Sequence, residues 1–132
     1  MSDETPKVGS ISWMDLTVTN AEEVKDFYKE VVGWSTSSVN MGDYEDYCMN
    51  LPETENTVAG VCHAKGVNAA LPSQWLLYIT VANVEESISK CKSLSGKVLH
   101  TRKTSEGKVQ FAIIKDPAGA VCALYQQENL EK

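Results

Sequence analysis

Histidine is scarce in this chain: 132 residues hold only two, His63 and His100. There is no C-x-x-C pair, which argues against a zinc knuckle. No apolar run approaches the ~20 residues needed to span a bilayer, so no membrane partner is expected. Positive charge is sparse and scattered. Twelve Lys and Arg stand against eighteen Asp and Glu, for a net charge of −6. A nucleic-acid surface needs clustered positive charge, so no nucleic acid is expected either. The opening MSDETPKVGS is polar and acidic. It lacks the basic start and apolar centre of a signal peptide, which predicts a cytoplasmic protein. In that setting Cys48, Cys62, Cys91 and Cys122 read as reduced thiols set among apolar residues.

What is present is ordinary globular material, 42% hydrophobic, enough for one domain or two small halves. Residues 1–8 and 128–132 read as tails. Ser10 to Thr19 alternates as a strand, with Met14, Leu16 and Val18 on one face and Trp13, Asp15 and Thr17 on the other. Asn20 is placed to cap a helix, with Glu23 in the capping-box position. Val24, Phe27, Tyr28 and Val31 follow as one apolar stripe, and Gly33 stands at the left-handed C-cap. Short strands are expected over 35–41, around Tyr47 to Leu51, and over Thr57 to Ala64. Residues 65–73 read as a linker. A strand over Gln74 to Ala82 then leads to a second helix. Asn83 caps it, Glu86 completes its box, Val84, Ile88, Cys91 and Leu94 form its stripe, and Gly96 closes it. Strands over 97–104, 108–115 and 120–126 finish the chain.

The halves repeat. Leu16 and Ile79, Val18 and Val81, Asn20 and Asn83, Glu23 and Glu86, and Gly33 and Gly96 each stand 63 apart. Val61-Cys62 matches Val121-Cys122 at an offset of 60, as if the second half were three residues shorter there. Each half reads βαβββ. One such unit leaves an edge unpaired and a face uncovered, which two units can remedy around a shared pocket.

This tandem pattern resembles the vicinal oxygen chelate superfamily of glyoxalase I and the bleomycin-resistance proteins. Leu16, Val18, Asn20, Phe27, Tyr28, Gly33 and Trp34 carry the resemblance in the first half. Val81, Asn83, Gly96, Asp116, Pro117 and Gly119 carry it in the second. W-M-D-L-T-V and Gln74-Trp75 with Tyr78 resemble an uncharacterised glyoxalase-like branch. The resemblance implies an α+β fold of tandem βαβββ modules forming a curved mixed sheet, a cup, with helices on its outer face. It spans residues 9–127 as a single domain, with modules at about 9–65 and 74–127. It also implies a homodimer.

Metal-using members carry His, Glu or Gln at four cup-side positions. Carried over residue by residue, three of these fall on Trp13, Leu76 and Ala123. The fourth, by the offset of 60, falls on His63. Only His63 can ligate, and one imidazole does not make a divalent site. No metal, cofactor or catalytic residue is therefore assigned. The expected cup lining is Trp13, Asp15, Thr17, His63, Tyr78, Thr80 and Tyr125. Trp13 either fills the cup or stacks on a ligand. Asp15 orients a ligand, acts as a base, or pairs with Arg102 or a backbone N–H. Arg102 is otherwise an anchor for a carboxylate, and His100 is expected on an exposed strand. The expected function is binding of a small organic molecule without metal. The alternative is a metal-dependent lyase, isomerase or dioxygenase of the same superfamily.

Overall fold

The computed structural model describes residues 7–66 and 69–126. The expected tail over 128–132 and most of that over 1–8 lie outside the described residues. The described residues fall into two compact units, one within 13–75 and one of 7–12 with 76–126. The boundary falls inside the first strand, because the residues before it hydrogen-bond to the second module. Gly9 N–H donates to the Thr80 carbonyl at 2.7 Å, and Thr80 N–H donates to Ser10 at 2.9 Å.

The order is β1 (Ile11–Val18), α1 (Ala21–Val32), β2 (Ser35–Asn40), β3 (Glu45–Asn50) and β4 (Thr57–His63), then β5 (Trp75–Thr80), α2 (Val84–Ser93), β6 (Lys97–Lys103), β7 (Val109–Lys115) and β8 (Val121–Tyr125). This is βαβββ twice, an α+β fold with the boundaries close to those expected from periodicity. In the first module the strand order is β2-β3-β4-β1, with β1 parallel to β4 and the other pairs antiparallel. The second module repeats it as β6-β7-β8-β5, with β5 parallel to β8.

Alternation decides the core of the first module. Leu16 and Val18 pack with Ala21, Tyr47, Met49, Ala59 and Val61, and Val24, Tyr28, Trp34 and Trp75 close around them. The stripe of α1 is only half used. Val24 and Tyr28 face the core, whereas Phe27 and Val31 are 55% and 64% exposed. In α2, Val84 is fully buried, but Leu94 at the C-terminal end is 70% exposed.

The helix ends differ from expectation in two places. Asn20 makes no capping bond to the backbone; its Nδ2 donates instead to Glu23 Oε1 at 3.1 Å. Asn83 does cap, its Oδ1 accepting from Glu86 N–H at 2.9 Å. At the other end, Gly33 holds the left-handed position after α1, with φ 95°. After α2 that position belongs to Ser95, at φ 75°. Gly96 N–H then reaches back to the Cys91 carbonyl at 2.8 Å, closing a Schellman motif. Gly96 is needed for closeness instead, since a Cβ there would meet Cys91 Sγ at 2.6 Å and the Lys115 carbonyl at 3.0 Å. A serine at positive φ is strained, and glycine is not. Ser95→Gly is therefore expected to raise stability by about 0.5–1 kcal/mol, the strain released less the added freedom of the unfolded chain. A shift of the urea midpoint at constant slope would show it.

Candidate functional site on the sheet

On β1 of the first module, Trp13, Asp15 and Thr17 point away from the side packed by α1. Trp13 Nε1–H donates to Asp15 Oδ1 at 2.6 Å, across two residues of one strand. The neighbouring indole is thus one partner of Asp15, and in the second module Arg102 lies over the Phe111 ring, 4.6 Å from the centroid. The parallel register sets Asp15 beside Gly60 and Thr17 beside Cys62. Gly60 is the space that the Trp13–Asp15 pair occupies. A Cβ there would stand 2.5 Å from Asp15 Oδ1 and 3.5 Å from Trp13 Cζ2. Cys48, paired with Gly60 from β3, shares this face with Cys62. All four cysteines are free. Burial pushes the Cys62 thiol well above its ordinary value of 9.0; the carboxylates of Asp15 and Asp46 and a hydrogen bond to Asp46 raise it further.

His63 is the correction. The same register puts it beside Val18, so it lies on the side of the sheet packed by α1, not with Asp15 and Thr17. There it lines an open depression of about 440 Å³ with Thr19, Asn20, Glu22, Glu23 and Asp26. Its Nδ1 lies 2.7 Å from the Glu45 carbonyl, and its ring is edge-on to Tyr44 at 5.5 Å. The offset of 60 misplaced it. In the structure Asp15 pairs with Gly60 and Tyr78 pairs with Ala123, so both strands of each pair are displaced by the same 63 residues. The position equivalent to Ala123 is therefore Gly60. The shared Val-Cys dipeptide is a coincidence of composition, not of register.

In the second module, Tyr78 and Thr80 on β5 align with Ala123 and Tyr125 on β8, so these four share one face. Phe111 pairs with Tyr125 and packs against Tyr78 at 5.5 Å. Thr80 Oγ1 donates to Ser12 Oγ at 3.2 Å. His100, expected on an exposed strand, is only partly exposed and sits 6.4 Å from the Phe111 ring.

By the resemblance, the positions that would carry metal ligands fall on Trp13 and Gly60 in the first module and on Leu76 and Ala123 in the second. Leu76 and Ala123 are buried to 1% and 0% exposure, and neither has a donor atom in its side chain. Among the described residues, no group of three His, Cys, Asp or Glu side chains is placed to hold a metal ion. The residues present do not fit the superfamily's metal.

Comparison with known proteins agrees with the fold. The family model described as the Glyoxalase/Bleomycin resistance protein/Dioxygenase superfamily matches residues 10–124. CFP32 of Mycobacterium tuberculosis, which carries a glyoxylase name, is 27% identical over 119 residues, covering 89% of this chain and 46% of that protein. The anthracycline biosynthesis protein DnrV of Streptomyces peucetius is 21% identical over 134 residues, covering 93% and 49%. The chain spans about half the length of these curated relatives. Among solved structures, the hypothetical protein BH1468 of Bacillus halodurans superposes with a TM-score of 0.59 at 12% identity, covering 96% of this chain and 99% of that one.

Proposed function

Since the chain belongs to the glyoxalase/bleomycin resistance protein/dioxygenase superfamily, we propose that it binds a small organic molecule without the superfamily's metal. One observation carries this reading. The four positions that would ligate hold an indole, a leucine, an alanine and a glycine, and the glycine's space is taken by the Trp13–Asp15 pair. Trp13 offers an aromatic surface, and Asp15 a carboxylate oriented by the indole N–H. Together they suit a flat ligand with a hydroxyl or cationic group. Tyr78, Thr80 and Tyr125 offer the same kinds of group in the second module. Nothing in this reading needs a Lewis acid.

The test is a thermal-shift screen of small organic compounds, with metal analysis of the same sample. A ligand present at a hundred times its Kd stabilises by about 2.7 kcal/mol, which a melt resolves easily. Asp15→Asn keeps the shape and removes the charge. It is expected to weaken ligands bearing a cation or hydroxyl about tenfold or more, the loss of a charge-assisted hydrogen bond. Stoichiometric tightly held metal, or a screen without a single stabilising compound, would defeat the proposal. A homodimer in the cytoplasm accompanies this reading by resemblance. The exposed Phe27, Val31 and Val32 of α1 supply apolar surface for a second copy, and light scattering tests it.

A further inference from the structure

We propose that the first module carries a second binding site, on the side of its sheet packed by α1, for a neutral flat aromatic molecule of about two fused rings. A cavity of about 290 Å³ opens there, lined by Met14, Tyr28, Trp34, Val58, Ala59 and Trp75. Three separate parts of the chain deliver its aromatic walls. Tyr28 comes from the inward face of α1. Trp34 follows the left-handed turn at Gly33. Trp75 arrives at the start of β5, and its Nε1–H donates to Tyr28 Oη at 3.1 Å.

That hydrogen bond pairs the polar tip of one wall with that of another, so the walls meet the cavity mainly with carbon. Trp75 stands edge-on to Tyr28 at 5.3 Å and 77°, and to Trp34 at 6.2 Å and 73°. Edge-to-face walls leave ring faces free for another ring. Ala59, buried to 2% exposure, leaves the space; Met14 and Val58, 37% and 36% exposed, stand at the rim. No Asp, Glu, Lys, Arg or His lines the cavity. An apolar cavity of roughly 150 Å³ takes one benzene ring, so this one has room for about two. A carboxylate would lose its hydration there, and no cationic side chain lines the cavity to compensate. Trp13 and Asp15 are not among the lining residues, so this site is distinct from the one proposed above and does not depend on it.

The chain's three tryptophans, Trp13, Trp34 and Trp75, make the test direct. Their indole N–H signals can be followed by NMR while 2-naphthol is titrated into the full chain. The expected result is that the Trp34 and Trp75 signals move and saturate together while that of Trp13 stays. The anion 2-naphthoate is expected to bind at least about tenfold more weakly at neutral pH. Val58→Tyr, a rim substitution, is expected to weaken 2-naphthol by about tenfold or more, with the circular dichroism unchanged. A saturating shift confined to Trp13 would overturn this site while leaving the first proposal standing. No saturable shift, or equal affinity for naphthol and naphthoate, would also overturn it. The naphthol–naphthoate comparison needs no variant, so it decides the matter even if Val58→Tyr does not fold.

Discussion

Gly60→Ala is expected to destabilise the protein by about 1–3 kcal/mol, far more than one methyl group usually costs on a strand. The backbone conformation is not the cause, because Gly60 has no positive φ. The cause is the side chain lying over it. The new Cβ would stand 2.5 Å from Asp15 Oδ1, and that oxygen is held at 2.6 Å by the Trp13 indole N–H. Either the hydrogen bond breaks or the strands separate. Asp15→Asn keeps the bulk and should not relieve the clash. Asp15→Ala removes it, so Gly60→Ala with Asp15→Ala is expected to lose clearly less stability than the two single changes summed. Urea denaturation of the four proteins gives the coupling energy. Strict additivity would mean that the Asp15 side chain does not rest on Gly60. The experiment bears on function, because it asks whether the superfamily's fourth ligand position is closed by packing.

The second large effect concerns Cys62. Its thiol is held in the protonated form, first by burial, then by the carboxylates of Asp15 and Asp46, with Asp46 also accepting from it. The thiolate is the nucleophile, so alkylation of Cys62 by iodoacetamide near pH 8 is expected to be slower by on the order of a hundredfold or more than in the unfolded chain. Peptide mapping after timed quenching measures it. The same shift sets a pH dependence. A thiol whose folded pKa lies above its unfolded value contributes stability that is intact below about pH 9, the ordinary thiol value. That contribution is lost as pH rises further, because the unfolded chain then releases a proton that the folded chain retains. Stability is therefore expected to fall above about pH 9, and Cys62→Ser is expected to flatten the fall. An unchanged slope in that variant would assign the alkaline loss to other groups, such as Tyr47, whose hydroxyl burial also raises.

Much of this architecture was legible in the linear chain. Alternation in Met14, Leu16 and Val18 determined which side of β1 faces the core. The frame from Asn20 to Gly33 and its copy from Asn83 to Gly96 determined two helices and a repeat of βαβββ. These are local matters, set by side-chain period and by the conformations that glycine permits. They also identified the superfamily, and with it Trp13 and Leu76 as poor ligands.

The site itself was decided by tertiary structure, because parallel strand register is a long-range property. The dipeptide Val-Cys occurs in both halves, yet hydrogen bonding aligns Val61 with Leu16 and Leu124 with Ile79. The error of three residues is odd, and an odd error moves a strand residue to the opposite face. His63 thereby left the face of Asp15, and Gly60 took its place. Pairing across distance likewise decided the rest. The indole of Trp13 donates to the Asp15 carboxylate, a partner that the chain alone did not suggest, and Trp75 meets Tyr28 across 47 residues. Period tells which side chains share a face of one strand; only folding tells which strand, and which residue of it, comes to lie beside them.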